Sequence, residues 1–382
     1  MSETNNKLLY FDNCATTKID DDVLQIVSDY AKNKFFNPSA RSSLSLEVSN
    51  DLAVARRQIA RLVGADEDEI FFTSGGTESN NIAILAGGKS RKGNVVVTAA
   101  EHSSVYNPVM QLAGKGYEIR IAKVLPDGHI DVDDFVNKVD ENTALACFMH
   151  VNNETGAIND VRRINALVKQ HAPKCQTLSD GVQAVGKIPV NIHSLGVDFY
   201  SMSGHKIHGS KGSGFLYVRR GTKCNPLVFG GGQGHGMRSG TEFVGGQIAL
   251  ATALAKATKL VNDPIFADLR NTVTDKLQQV ANYKILCNTD NTPRILTAAF
   301  ADIKGEVLVH MLEKYNIVVG TGSACSSANK QSRVAKAIGL EPRYTEGIIR
   351  ISFTDGITVA DADFLADKLV QCVAELRKTM GV

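Results

Sequence analysis

The sequence predicts an α/β protein: a large domain on a mostly parallel seven-stranded sheet, joined to a smaller α+β domain. Three observations predict it. First, apolar runs with strand character alternate with helix-length stretches between about residues 70 and 220. The candidate strands are Ile70–Thr73, Asn94–Thr98, Glu118–Ala122, Thr143–His150, Gln176–Ser179, Val197–Ser201 and Gly214–Val218. Helical stretches between them include Thr77–Leu85, Val105–Ala113 and Val161–Lys169, and such alternation implies parallel strands covered on both faces. Second, residues 230–240 are glycine-rich and interrupt this pattern before a long helical stretch, Glu242–Leu260. Third, from about Asp263 the order becomes helix, strand, helix, ending in an amphipathic helix near Ala360–Lys378. The expected division is 21–260 for the large domain, and 1–20 with 261–382 for the small one.

Composition excludes several function classes. With 382 residues, 43% apolar and 21% charged, the chain can bury a sizeable core. A net charge of +2 gives no reason to expect nucleic acid or an anionic membrane as partner. No apolar run approaches the ~20 residues of a membrane helix, and Met1–Lys7 lacks the apolar core of a leader. Seven scattered cysteines without a C-x-x-C pair argue against a disulfide framework or a zinc site. Reduced thiols in a cytoplasmic protein fit better, and no metal is expected.

The chemistry-bearing residues lie just beyond the strands, where ligands of parallel sheets bind. Lys206 follows a buried strand in Ser203-Gly-His-Lys206, where desolvation would free its amine for a Schiff base. Lys211 is the rival, farther from the strand among glycines. Thr73-Ser-Gly-Gly-Thr77 runs from strand to helix start, so its backbone N–H groups and the Thr77 hydroxyl suit a phosphate. It is neither G-x-G-x-x-G nor a Walker loop, which counts against dinucleotides and nucleoside triphosphates. Asp180 ends a strand and is the residue type that keeps a pyridine nitrogen protonated, and Gln183 could reach the same ring's phenolic oxygen. His102 could stack on an aromatic ring and move protons, and Asn153 could bond a substrate or the ring oxygen. Each has an ordinary explanation as cap, turn or surface residue. Together they are complementary.

In this order the motifs resemble the NifS/IscS-type cysteine desulfurases, in the class V aminotransferase group of fold-type I pyridoxal-phosphate enzymes. The resemblance runs nearly end to end, through Tyr10-Phe-Asp-Asn-Cys-Ala-Thr-Thr17, Asn37-Pro-Ser, Thr73-Ser-Gly-Gly-Thr-Glu-Ser, Glu101-His102 and Val151-Asn-Asn-Glu-Thr-Gly. It continues in Asp180-Gly-Val-Gln, Ser203-Gly-His-Lys206, Gly236-Met-Arg-Ser-Gly-Thr241, Thr321-Gly-Ser-Ala-Cys325-Ser-Ser and Ile349-Arg350-Ile-Ser. It implies the fold-type I transferase fold, pyridoxal 5'-phosphate on Lys206, and phosphate ligands Gly76, Thr77, Ser203 and His205. Thr241 would be donated by the second subunit of a homodimer. His102 would stack on the ring, Asp180 would face its nitrogen and Gln183 its phenolic oxygen. Asn153 and Arg350 would hold the substrate carboxylate.

Cys325, in the small-domain loop at about 320–330, would take sulfur from L-cysteine as a persulfide and pass it to an acceptor protein, for uses such as iron–sulfur cluster biogenesis. Lys206 would remove the α-proton and His102 would assist proton transfers. Small residues around Cys325 suit an accessible loop, and the Arg350 guanidinium fork matches a carboxylate.

Some positions depart from the family pattern: Lys18, Ser43, Gly234 with His235, and Arg294 within Thr292-Pro-Arg-Ile-Leu. Cys14 could be a second reactive thiol. Other readings on the same scaffold are a selenocysteine lyase, a class V aminotransferase, or a catalytically weak scaffold homologue.

Overall fold

The computed structural model describes residues 7–87, 93–288, 290–322 and 332–381. A short strand β1 (Leu9–Tyr10) precedes the main sheet. That sheet contains β2 (Ile70–Thr73), β3 (Asn94–Thr98), β4 (Glu118–Ala122), β5 (Thr143–Cys147), β6 (Gln176–Asp180), β7 (Phe199–Ser203) and β8 (Gly214–Val218). Its order is β2-β8-β7-β6-β5-β3-β4. Only β8 runs against its neighbours, pairing antiparallel with β7 and β2. The reason is the connection. A parallel return needs a crossover of a dozen or more residues, whereas 204–213 holds only the tight turn Gly204–Lys206.

Alternation along the strands supplies two cores. Val96, Ala146, Phe148, Tyr200, Met202 and Phe215 pack on one face, against Val23, Leu52, Ile59, Leu250 and Leu254 of three helices, Asp21–Lys32, Ser43–Val63 and Val244–Lys259. Val95, Val97, Leu145, Cys147, Phe199 and Leu216 face the other way, onto Ile82, Ile84, Val105 and Val109. The edge strand β4 exposes Glu118 and carries Arg120, as an edge that must not recruit another chain does.

The sequence expectation extends β5 to His150. The strand ends at Cys147, although Phe148 and His150 still donate backbone N–H groups to Leu178 and Asp180 of β6. The expected strand Val197–Ser201 slides to Phe199–Ser203. The helix expected at Thr77–Leu85 starts as Gly76–Asn81 and widens into a π turn over Ile82–Ala86.

A second sheet follows, from β9 (Tyr283–Ile285), β10 (Ile295–Phe300) and β12 (Ile348–Ser352), antiparallel in the order β12-β10-β9. A further short strand, β11 (Ile317–Val318), pairs parallel with β1. Leu9 and Phe11 therefore join the core of this part, with Leu296, Ile351, Leu365 and Leu369. Its longest helix, Val359–Met380, opens with a reciprocal cap between Thr358 and Asp361 and closes at Gly381 in the left-handed conformation. Among the described residues, no helix is long and apolar enough to cross a membrane.

Candidate active site

Asp180 closes β6 and is buried. Its Oδ2 accepts from Asn80 Nδ2 at 2.9 Å, and its Oδ1 from the Val182 N–H at 3.0 Å and Ser201 Oγ at 3.3 Å. The second N–H of Asn80 goes to Ser104 Oγ at 2.9 Å. His102 is the N-cap of helix Ser103–Ala113, with Nδ1 accepting from the Ser104 N–H at 3.1 Å and lying 2.8 Å from Ser104 Oγ. Burial pulls the His102 pKa below the ordinary imidazole value. Asp180 opposes that shift, while Lys206, Arg333 and Arg350 add to it. Asp180, Lys206 and Arg350 thus act on one imidazole.

Lys206 ends the tight turn after β7. Its Nζ donates to the carbonyls of Cys14 at 2.6 Å and Ala15 at 2.7 Å. Lys211, the rival, is exposed. Gln183 Nε2 reaches the same Cys14 carbonyl at 3.0 Å, and its Oε1 accepts from Lys187 Nζ. Burial pushes the Lys187 ammonium down to about 8; Cys14 resists this and Lys206 reinforces it. His205 lies 3.1 Å from Thr16 Oγ1 through Nδ1, and burial, helped by Lys206, pulls it down to about 4.

Gly75 has φ 145°, which favours glycine, and a Cβ there would lie 3.1 Å from Ser203 Oγ. A Cβ on Gly76 would come within 3.8 Å of the Ser203 side chain. The loop after β2 and the end of β7 therefore meet. Thr77 is exposed at the helix start. Beside it, Glu78 Oε1 accepts from Arg238 Nε at 2.8 Å, tying the glycine-rich segment to this loop. Thr241, at the end of that segment, is exposed.

Arg350 lies in β12 and is 2% exposed. Its Nη2 meets Asp12 Oδ1 at 2.8 Å, and its Nη1 donates to the Asn153 carbonyl at 3.0 Å. Asn153 thus meets Arg350 through its backbone. Burial works against the Arg350 charge, but Cys14 and Asp12 outweigh it and hold the pKa above the ordinary value. Burial lifts the neighbouring Glu154 to about 6, despite the hydrogen bond from Ser332 Oγ at 2.6 Å and the nearby charge of Arg350. Cys325 lies outside the described residues.

The departures have local roles. The Lys18 carbonyl lies 2.9 Å from His208 Nδ1. Ser43 begins a helix capped by Ser42. His235 Nε2 lies 2.8 Å from Arg56 Nη1, beside Gly234. Arg294 is buried, with Nη2 donating to the Leu260 carbonyl at 2.6 Å and its guanidinium 3.5 Å from the Phe266 ring centroid. Arg294, Cys14, Lys187 and Lys206 line one small cavity. Sequence reasoning missed Asp12, Asn80, Ser104 and Lys187. A signal existed for Asp12, which lies inside the Tyr10–Thr17 motif, and for Asn80, one helical turn beyond Gly76 and Thr77.

The family model described as aminotransferase class-V matches residues 9–365. The chain belongs to this family. It is 37% identical to a cysteine desulfurase of Nostoc sp. over 97% of this chain and 94% of that protein. It is 36% identical to the cysteine desulfurase IscS of Dictyoglomus turgidum, over 97% and 95%. The solved structure of a NifS-like protein superposes with a TM-score of 0.91 at 32% identity, covering 97% of this chain and 100% of that one. The fold is thus that of fold-type I, and family members depend on pyridoxal 5'-phosphate. The residues present fit that group: an amine that donates to two backbone carbonyls, a buried carboxylate at a strand end, and a glycine-bearing loop against a serine.

Proposed function

We propose that this chain is a pyridoxal-phosphate-dependent cysteine desulfurase that converts L-cysteine to L-alanine and holds the sulfur as a persulfide on Cys325. The observation that carries this reading is the convergence of an amine and a guanidinium on one short stretch. Lys206 rests on the carbonyls of Cys14 and Ala15, and Arg350 on the carboxylate of Asp12. An α-amino acid offers the complementary groups, an amine to exchange with Lys206 and a carboxylate for Arg350. Relatives named cysteine desulfurase, similar over nearly their whole length, support the choice of substrate.

Lys206 would carry the cofactor, with Asp180 against its ring nitrogen, His102 on its face and Gln183 at its phenolic oxygen. Gly76, Thr77, Ser203 and His205 would hold the phosphate, completed by Thr241 from the second subunit of a homodimer. When bound there, pyridoxal 5'-phosphate supplies an electron sink for a carbanion beside the amino group. Arg350, with Asn153 beside it, fixes the substrate carboxylate. Lys206, once released, takes the proton from the α-carbon. The Cys325 thiolate attacks the substrate sulfur: a sulfur–sulfur bond forms, the carbon–sulfur bond breaks, and its electrons return to the three-carbon fragment that leaves as alanine. An acceptor protein then takes the sulfur. The division at 21–260, and 1–20 with 261–382, places Arg350 and Cys325 on one domain and Lys206 on the other. A cytoplasmic setting would keep Cys325 reduced.

The test is mass spectrometry of the Cys325 peptide after the cofactor-loaded protein meets L-cysteine, with alanine measured in parallel. The expected result is a gain of one sulfur on Cys325, and no alanine from Cys325→Ala. Alanine at an undiminished rate from that variant overturns the reading.

A further inference from the structure

Four buried or half-buried groups form a hydrogen-bonded line whose two middle members, Asn80 and Ser104, the reaction as described does not use. Asn80 is fully buried and spends both amide hydrogens, one on Asp180 Oδ2 and one on Ser104 Oγ, each at 2.9 Å. Ser104 Oγ therefore accepts from Asn80, and its own hydrogen is free for His102 Nδ1 at 2.8 Å. The Ser104 backbone N–H points at the same nitrogen from 3.1 Å. A backbone N–H cannot turn round, so a hydrogen on Nδ1 would face another hydrogen. His102 also sits at the positive end of helix Ser103–Ala113, which disfavours an imidazolium.

We propose that Asn80 and Ser104 are positioning residues that lock His102 as the neutral tautomer with its proton on Nε2. His102 then offers a flat ring and a hydrogen-bond donor, and it does not serve as a general base. Its one acceptor lone pair, on Nδ1, is already engaged by Ser104, which leaves proton abstraction to Lys206. Asn80 gives the line its direction: as a double donor it separates the charge of Asp180 from the imidazole while fixing both. This rests on the placement of His102 at the cofactor, but the lock itself does not depend on the reaction.

The test is nitrogen NMR of the protein labelled in its histidines, with and without pyridoxal 5'-phosphate, the His102 signals being those missing in His102→Gln. The expected spectrum has His102 Nδ1 unprotonated and Nε2 protonated from pH 6 to 8, in both forms. Ser104→Ala should shift the His102 Nδ1 signal, because one of its two donors is lost while the backbone N–H remains, and Ser104→Thr should restore it. Asn80→Ala should shift the His102 signals and move the pH profile of the bound cofactor's absorbance, because Asp180 loses a donor. A proton on Nδ1 in the unaltered protein, or identical His102 signals in all variants, overturns the lock. Failure of the protein to bind the cofactor would instead overturn the functional reading, with the lock still readable in the cofactor-free spectrum.

Discussion

Arg350, proposed to hold the substrate carboxylate, is fixed by contacts of its own. Two of its nitrogens are engaged by Asp12 and the Asn153 carbonyl, while its buried Nε has no partner among the described residues. A lysine in its place would keep the charge and lose the planar fork. For Arg350→Lys, the expected outcome is a KM for cysteine raised about tenfold or more, equivalent to about 1.4 kcal/mol, with a smaller change in kcat. Steady-state kinetics at fixed cofactor would show it. Glu154 gives a pH prediction. Its carboxyl is raised from 4.5 to about 6, so folding favours the protonated form. Stability from this group is complete below the unfolded value and is lost as pH rises through about 6, up to about 2 kcal/mol. Glu154→Gln removes the loss, so its melting temperature should gain on the unaltered protein between pH 5 and 7.5. An equal difference at both pH values would count against the assignment. These residues also mark how far the sequence could be read. Lys206, Asp180 and Arg350 were legible because each sits at or in a strand beside a distinctive motif. The Asp12–Arg350 and Asn80–Ser104 contacts were not, because a side chain's partner across the fold leaves no trace in local pattern.

The elements were more legible than their ends. β2, β3, β4 and β8 appear where alternation and apolar runs predict them. β5 and β7 differ because pairing with neighbours, rather than hydrophobicity, decides where a ladder stops. The reversal of β8 follows from the shortness of its link, a length that could have been counted in advance. This strand has a tight fit at its first residue. A Cβ on Gly214 would come within 2.5 Å of the Met202 carbonyl and 2.7 Å of Gly75 Cα. Gly214→Ala should therefore push the loop carrying Gly76 away from Ser203. The expected result is a lower melting temperature together with weaker retention of pyridoxal 5'-phosphate on dialysis. On the far side of the sheet, Leu250 is fully buried in the helix Val244–Lys259. Leu250→Ala should cost about 2–5 kcal/mol in denaturant unfolding, with cofactor affinity little changed in the folded fraction.

At the scale of the molecule, Thr241 and the apolar side chains Phe229 and Phe243 stand exposed on one glycine-rich stretch and its continuation. If the second subunit covers them, sedimentation should give twice the chain mass of 41.1 kDa. A monomer that retains full activity would contradict the role proposed for Thr241. The stretch from Asp12 to Ala15 has a different consequence. It touches Lys206 on one side, and Arg350 and Ser352 on the other, across 338 residues in the contact with Arg350. Contacts so distant in the chain form late. On the ribosome, this segment must wait for β12 before the pocket has its wall. A polypeptide without β12 would lack Arg350, the residue proposed to hold the substrate carboxylate. The wall of this pocket is thus complete only once segments 338 residues apart have met.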